Sequence, residues 1–97
     1  MIEDFVHVGI GVFDLEASVR FYTEVLGMQI DYRAQHHGDR ISRVVGVPKA
    51  SLNICVVRKG AMRLELIDYG NPAKKIQGYV DQDSPGLIHL AVKVSDV

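Results

Sequence analysis

The amino-acid sequence predicts an α+β fold in which one helix covers one face of a half-open sheet. Two observations lead to this prediction. Segments with apolar residues at every second position fill much of the chain and are interrupted, over residues 15–26, by apolar residues at helical spacing. In addition, residues 7–15 (HVGIGVFDL) and residues 89–97 (HLAVKVSDV) share one order of histidine, aliphatic, small and acidic positions. A pattern that recurs at such a distance indicates a repeated folding unit.

The first predicted element is a strand over residues 5–12, where aliphatic side chains alternate with Phe5, His7, Gly9 and Gly11. One side of this strand is wholly aliphatic, so it must pack against another element. The other side presents His7 next to two glycines. Because glycine has no side chain, this arrangement leaves open volume around the imidazole.

A helix over residues 15–26 follows the first strand. Asp14 is a suitable N-cap, since its carboxylate can accept hydrogen bonds from the first helical turn, and Gly27 is a suitable stop. The apolar stripe of this helix consists of Leu15, Val19, Tyr22, Val25 and Leu26. The stripe predicts that the helix covers the aliphatic side of the first strand.

The rest of the chain is predicted to contain strands separated by polar or glycine-containing connectors. They cover residues 28–34, 51–58, 61–69 and 87–94, with weaker strand character over residues 42–47. A polar connector is expected at residues 36–39, a tight turn at Lys59-Gly60 and a linker from residue 70 to residue 86. We therefore assign residues 1–80 to a βαβββ module, and residues 81–97 to a linker and the first strand of an incomplete second module.

Composition excludes several classes of function. The 97 residues include 11 basic and 12 acidic side chains, for a net charge of -1, and the basic residues form no stripe. Nucleic-acid and membrane-surface binding are therefore not expected. No apolar run approaches the roughly 20 residues of a membrane span, and the acidic start is unlike a signal peptide. Cys55 is the single cysteine, which suits a reducing interior, so we expect the cytoplasm.

Three segments resemble the glyoxalase / bleomycin-resistance / extradiol-dioxygenase superfamily, also called the vicinal oxygen chelate superfamily. They are HVGIGVFDLEASVRFYTEVLGM at residues 7–28, RLELIDY at residues 63–69 and GLIHLAVKVSDV at residues 86–97. Within the superfamily the chain looks most like the members similar to methylmalonyl-CoA epimerase and lactoylglutathione lyase. The resemblance implies paired βαβββ modules whose sheets form a cup that holds a divalent metal.

Three metal ligands follow from the resemblance, residue by residue: His7 on the first strand, Glu65 on the last strand of the module, and His89 on the first strand of the second module. A fourth ligand, usually a glutamate that also moves a proton, would lie beyond Val97. Two imidazoles and a carboxylate suit Mn, Fe, Co, Ni or Zn. The implied reaction is proton abstraction next to a carbonyl, with metal stabilisation of an enediolate or enolate.

Several readings stay open at this stage. The chain is either a metal-dependent lyase or epimerase, a ring-cleaving dioxygenase, a non-catalytic small-molecule binding or resistance protein, or an inactive truncated module. In each case we expect a small-molecule ligand or substrate. The bare sheet face opposite the helix predicts a homodimer, because a monomer would expose a large apolar patch.

Five other side chains carry groups that can take part in chemistry. His36 and His37 are expected to be solvated, and Cys55 to be a packed small side chain. Arg43 or Arg63 could hold a substrate carboxylate or phosphate, although a solvated charge is the simpler reading of each.

Overall fold

The computed structural model describes residues 1–70 and 90–95. Their elements are β1 (Val8–Gly11), α1 (Leu15–Arg20) with a π-helical continuation (Phe21–Val25), β2 (Gln29–His37), α2 (Asp39–Val45), β3 (Ser51–Lys59) and β4 (Met62–Asp68). The four strands form one sheet in the order β1-β4-β3-β2. β1 runs parallel to β4, and the other two pairings are antiparallel. The predicted α+β class and the βαβββ strand order are confirmed.

The first helix begins and ends close to the predicted residues. The Asp14 carboxylate accepts a hydrogen bond from the Ala17 N–H at 3.1 Å, and this N-cap satisfies a donor that the helix itself cannot pair. At the other end, the Leu26 N–H donates to the Phe21 carbonyl at 3.2 Å, so the last turn is widened. Gly27 then adopts a positive φ of 72° and ends the helix.

The sheet face under α1, which we call the helix face, carries the larger apolar core. The buried residues of this core are Val19, Met28, Cys55, Val57, Leu64 and Leu66. Ile10, Val12, Leu15, Tyr22 and Leu26 pack against them. The aliphatic side of β1 and the stripe of α1 therefore meet as predicted. Full burial of one such aliphatic side chain stabilises the fold by about 1.5–3 kcal/mol.

The prediction of strand character over residues 42–47 is wrong, because this segment is largely helix α2. Gly38 and Gly46 bound α2 with φ of 103° and 71°, and the Gly46 N–H donates to the Ser42 carbonyl. Ile41 and Val45 are spaced four residues apart, so they lie on one side of the helix. That spacing is a helical signal, which the apolar run Val44-Val45 had obscured.

α2 also changes the expected character of the second sheet face, which we call the open face. Ile41 and Val45 pack against a second buried cluster on it, and Ile67 joins them there. The buried members of that cluster are Ala50, Leu52, Ile54 and Val56. The face opposite α1 is therefore not bare throughout, since α2 covers the end of it that is nearest the start of β3.

The connector predicted at residues 36–39 is also shorter than expected, because β2 continues through His37. His36 and His37 pair with Leu52 and Ser51 of β3, and both histidines are exposed. The predicted hairpin turn is present, but it lies one residue further along the chain, and Gly60-Ala61 form the two-residue connection. Lys59 pairs with Met62, and Gly60 supplies the positive φ of 58° that such a turn requires.

The predicted strand over residues 87–94 falls partly outside the described residues, as does the linker before it. Residues 90–94, which are described, form no strand and do not belong to the four-stranded sheet, so strand structure predicted there is not found. The division into residues 1–80 and 81–97 stays a prediction. In the described ranges, no helix is long and apolar enough to cross a membrane.

Candidate functional site

His7 and Glu65 meet on the open face at the junction of β1 and β4. The parallel register pairs Gly9 with Glu65, so that His7 precedes β1 on the same side of the sheet. The His7 Nε2 atom lies 3.6 Å from the Glu65 Oε2 atom. This separation is too long for a hydrogen bond. The side chains are 32% and 18% exposed, so both can be reached from outside the sheet.

Gly9 keeps the space beside the Glu65 carboxylate open. A Cβ atom at this position would lie 3.4 Å from the Ile67 Cδ1 atom and 3.8 Å from the Glu65 Oε1 atom. Both distances are ordinary van der Waals contacts, so a larger residue would fit but would occupy the volume next to the carboxylate. The alternation of His7, Gly9 and Gly11 therefore leaves the carboxylate with an open approach.

The floor of the site next to Glu65 is apolar. Val56 of β3 is the cross-strand partner of Glu65 and is fully buried. Ile67 lies two residues along β4 and packs into the same cluster. An ionised carboxylate with apolar neighbours on one side keeps fewer contacts with water, which strengthens its attraction for a cation.

The third ligand candidate, His89, lies outside the described residues. Within residues 1–70 and 90–95, no group of three His, Cys, Asp or Glu side chains is placed to hold a metal ion. His36 and His37 belong to β2, the far edge of the sheet from β1. With strands about 4.8 Å apart, three strand spacings put them roughly 14 Å from β1, and they take no part in this site.

Asp68 is not part of the site either. It alternates with Ile67 along β4, so it belongs to the helix face, and its Oδ1 atom accepts a hydrogen bond from the Gly70 N–H at 2.7 Å. Alternation along RLELIDY places Asp68 and Glu65 on opposite sides of β4.

A group of charged side chains lies next to the His7–Glu65 pair on the open face, and the sequence interpretation did not bring its members together. The Arg63 Nε atom donates to the Asp31 Oδ2 atom at 3.0 Å, and the Arg58 Nε atom lies 3.9 Å from Asp31 Oδ1. Arg58 and Arg63 are direct cross-strand partners. The two arginines stand symmetrically about the observed turn at Gly60-Ala61, one residue beyond the predicted turn, so the predicted register did not pair them. Nothing in the sequence marked Asp31 as their partner.

Two ionisable groups on the helix face are Arg33, which Glu16 holds, and Cys55, which is buried. The two terminal nitrogens of Arg33 donate to the two Glu16 oxygens at 2.8 and 3.1 Å, and this hydrogen-bonded contact raises the pKa of Arg33. Burial raises the pKa of the Cys55 thiol, with a smaller opposing influence from Arg33. Cys55 is therefore the packed side chain that the sequence predicts.

A cavity of about 350 Å³ lies between α1 and the sheet, away from His7 and Glu65. It is lined by Leu15, Arg33, Ala34, Gln35, Asn53 and Ile54. Its polar groups include the Arg33 guanidinium already held by Glu16, so it offers no unpaired charge to a ligand.

Comparison with known proteins gives consistent matches. The family model described as "Glyoxalase/Bleomycin resistance protein/Dioxygenase superfamily" matches residues 4–97. The chain is 36% identical over 95 residues to 2-epi-5-epi-valiolone epimerase from Actinomyces sp, covering 94% of this chain and 51% of that protein. It is 27% identical over 92 residues to mitochondrial methylmalonyl-CoA epimerase from Mus musculus, covering 94% and 46% respectively. The chain thus spans about half the length of the curated relatives it matches.

Among solved structures, the fold is similar to a glyoxalase family protein from Bacillus cereus. The TM-score is 0.68 at 22% sequence identity, and the match covers 95% of this chain and 60% of that one. At this identity the match supports the fold.

Proposed function

The chain belongs to the Glyoxalase/Bleomycin resistance protein/Dioxygenase superfamily, and from this premise we propose that it supplies part of a divalent metal centre in an epimerase. His7 and Glu65 are the ligands proposed from the described residues, and His89 is the proposed third ligand. The observation that supports this most strongly is the approach of the His7 and Glu65 donor atoms across parallel strands.

The donor pair suits a divalent ion of the first transition row. Imidazole nitrogen and carboxylate oxygen bind such ions at about 2.0–2.2 Å, so two ligands at a tetrahedral angle stand about 3.4 Å apart. The separation of 3.6 Å between Nε2 and Oε2 is close to that value. Because no hydrogen bond joins the His7 imidazole to the Glu65 carboxylate, a cation could bind between them without breaking one.

The chemistry follows from the charges at this end of the sheet. When bound, the metal would act as a Lewis acid that polarises a substrate carbonyl and acidifies the neighbouring C–H. His7 and Glu65 would hold it, with Glu65 supplying the negative charge and the open side at Gly9 admitting the substrate. Val56 and Ile67 would exclude water from below the carboxylate. A separate base is needed for the proton, and none is assigned among the described residues.

Epimerisation is the reaction that the relatives favour over lyase, dioxygenase or resistance chemistry. Both curated relatives described above are epimerases by name. An epimerase removes a proton from a stereogenic carbon and returns it to the opposite side. A small carbonyl or thioester substrate, whose C–H is acidified by its carbonyl group, is the class that this chemistry serves.

Titration with Co²⁺ tests the ligand assignment, because its visible absorption reports bound imidazole and carboxylate. We expect the wild-type protein to bind Co²⁺, and His7→Ala and Glu65→Gln each to lose at least tenfold in affinity. His89→Ala should behave like His7→Ala. His37→Ala is the matched control, since His37 is exposed on the far edge strand. Equal Co²⁺ affinity in wild type and His7→Ala would overturn the assignment.

Solvent exchange tests the reaction class. In deuterium oxide, the metal-loaded protein should incorporate deuterium at the carbon next to the carbonyl of coenzyme A thioesters or of cyclic polyhydroxy ketones. Ring opening of a catechol, or a product with a cleaved C–S bond, would instead indicate dioxygenase or lyase chemistry. Saturable binding of these compounds without exchange, by a metal-loaded protein, would identify a binding protein.

A further inference from the structure

Three charged side chains cross the open face beside the His7–Glu65 pair. Asp31 comes from β2, Arg58 from β3 and Arg63 from β4, so the group spans three adjacent strands. Asp31 is hydrogen-bonded to the Arg63 Nε atom at 3.0 Å and lies 3.9 Å from the Arg58 Nε atom. All three side chains are 30–41% exposed, so none is buried in the core.

Asp31 lies at an irregularity in β2. The register between β2 and β3 shifts between Ile30 and Tyr32, which leaves Asp31 without a partner residue. Ile30 pairs with Val57 of the helix face, so alternation along β2 puts Asp31 on the open face, where the bulge leaves it as an extra residue beside Tyr32. From there Asp31 reaches across β3 to Arg63.

The guanidinium groups of Arg58 and Arg63 keep their terminal nitrogens available. Arg63 bonds Asp31 through Nε, and in the described part of the chain no hydrogen bond engages the Nη atoms of either arginine. Arg33 on the helix face is different, because both of its Nη atoms donate to Glu16. The Nη atoms of Arg33 are thus already hydrogen-bonded to Glu16, whereas those of Arg58 and Arg63 remain available as donors.

The charge of this group is also unbalanced. Two guanidiniums share one carboxylate, which leaves a net charge of +1, and like charges directly opposite each other across two strands are unfavourable. An anion bound to both forks would relieve that repulsion. Guanidinium matches carboxylate and phosphate geometry, so these are the anions to expect.

The position relative to Glu65 connects this group to the reaction. Arg63 stands two residues before Glu65 on the same side of β4, about 6.6 Å away along the strand. We propose that Arg58 and Arg63 bind an anionic group of the substrate, a carboxylate or a phosphate, while its carbonyl lies at the His7–Glu65 end. This proposal rests on the proposed function for the identity of that substrate, and it makes the two arginines determinants of specificity.

Binding of simple anions to the metal-free protein tests the proposal separately from the metal centre. Inorganic phosphate and malonate are titrated at low ionic strength, and arginine Nε–Hε resonances are followed by NMR. We expect saturable shifts at Arg58 and Arg63, and about tenfold weaker binding in Arg58→Gln and in Arg63→Gln. Arg33→Gln makes the same charge change on the helix face and should bind as wild type does.

Comparing the affinities of phosphate and malonate shows which anionic group the substrate carries. Tighter binding of phosphate indicates a phosphate ester on the substrate, and tighter binding of malonate indicates a carboxylate. Arg58→Lys keeps the charge but removes the planar fork, so it should also bind more weakly, and it serves if Arg58→Gln does not fold. Equal anion affinity in all variants, or shifts that never saturate, would overturn the proposal. If the wild-type protein binds the anions through Arg58 and Arg63 but does not bind Co²⁺, the metal assignment is wrong and the anion site stands.

Discussion

The two faces of the sheet differ in what their side chains contact. On the helix face, α1 packs on an apolar cluster that includes Cys55, Leu64 and Leu66. The charged residues at its margin, Arg33 and Glu16, form an ion pair with each other. On the open face, α2 covers one end, while His7, Glu65 and Arg63 are partly exposed at the other. β-Strand alternation thus lets neighbouring residues stabilise the fold on one side and remain accessible to the proposed ligands on the other.

The largest effect is expected from the helix face. Leu66→Ala removes a fully buried side chain, and the cavity left behind should lower the free energy of unfolding by about 2–5 kcal/mol. Urea denaturation measures this change. Met62→Ala on the same strand is the control, because Met62 is 37% exposed and should cost under about 1 kcal/mol. Similar losses for the two variants would contradict the assignment of the core to this face.

A smaller effect is expected where α2 covers the open face. Gly46 ends α2 with a φ of 71°, and Gly46→Ala forces a side chain into that left-handed conformation at a cost of about 1–2 kcal/mol. Gly11→Ala is the control, since Gly11 lacks a positive φ and a Cβ there meets nothing within 4 Å. Thermal unfolding of both variants measures the difference. An unchanged Tm in Gly46→Ala would mean that α2 contributes little to this face.

The exclusion of water from the core on the helix face can be tested through the buried thiol of Cys55. Because burial raises the pKa of its thiol, the folded protein holds the proton more tightly than the unfolded chain does. This contribution is present below the ordinary thiol pKa and is lost as pH rises through the folded value. The free energy of unfolding should therefore fall on the alkaline side, by at most about 1.4 kcal/mol per pH unit. Cys55→Ala should lack this component when unfolding is followed from pH 8 to pH 11.

The smallest effect on the free energy of unfolding is expected for the ion pair between Arg33 and Glu16. Arg33 and Glu16 are 45% and 60% exposed, so solvent screens them and their coupling should be about 0.2–1 kcal/mol. A double-mutant cycle with Arg33→Gln and Glu16→Gln measures this coupling. Raising the salt concentration should reduce it further. A coupling above 2 kcal/mol would show that the margin of the helix face is less solvated than its exposure indicates.

Much of this arrangement could be predicted from local pattern. Period-two alternation separates Glu65 from Leu64 and Leu66, and the Asp14 cap with Gly27 sets the limits of α1. These features depend on neighbours in sequence, where backbone geometry leaves few alternatives. The approach of His7 to Glu65 additionally depends on the parallel pairing of β1 with β4, which local pattern does not display. The resemblance to a known family predicted only that both residues are ligands of one metal.

Other features depend on contacts that the sequence does not display. The segment of α2 was misread because Val44 and Val45 suit a strand, whereas packing of Ile41 and Val45 on β3 favours the helix. The bulge at Asp31 follows from the register of β2 against β3, a tertiary property. Its ion pairs with arginines on two other strands could not be read from spacing along the chain.

One measurement addresses the central claim, that the open face binds a metal while the helix face maintains the fold. The Tm of wild type and of Glu65→Gln is compared with and without excess Co²⁺ or Zn²⁺. A ligand that binds the folded state raises its stability by about 2.7 kcal/mol at 100 times its Kd. We predict similar Tm values without metal and a metal-induced rise in wild type that is lost in Glu65→Gln. An equal rise in both proteins would contradict the account.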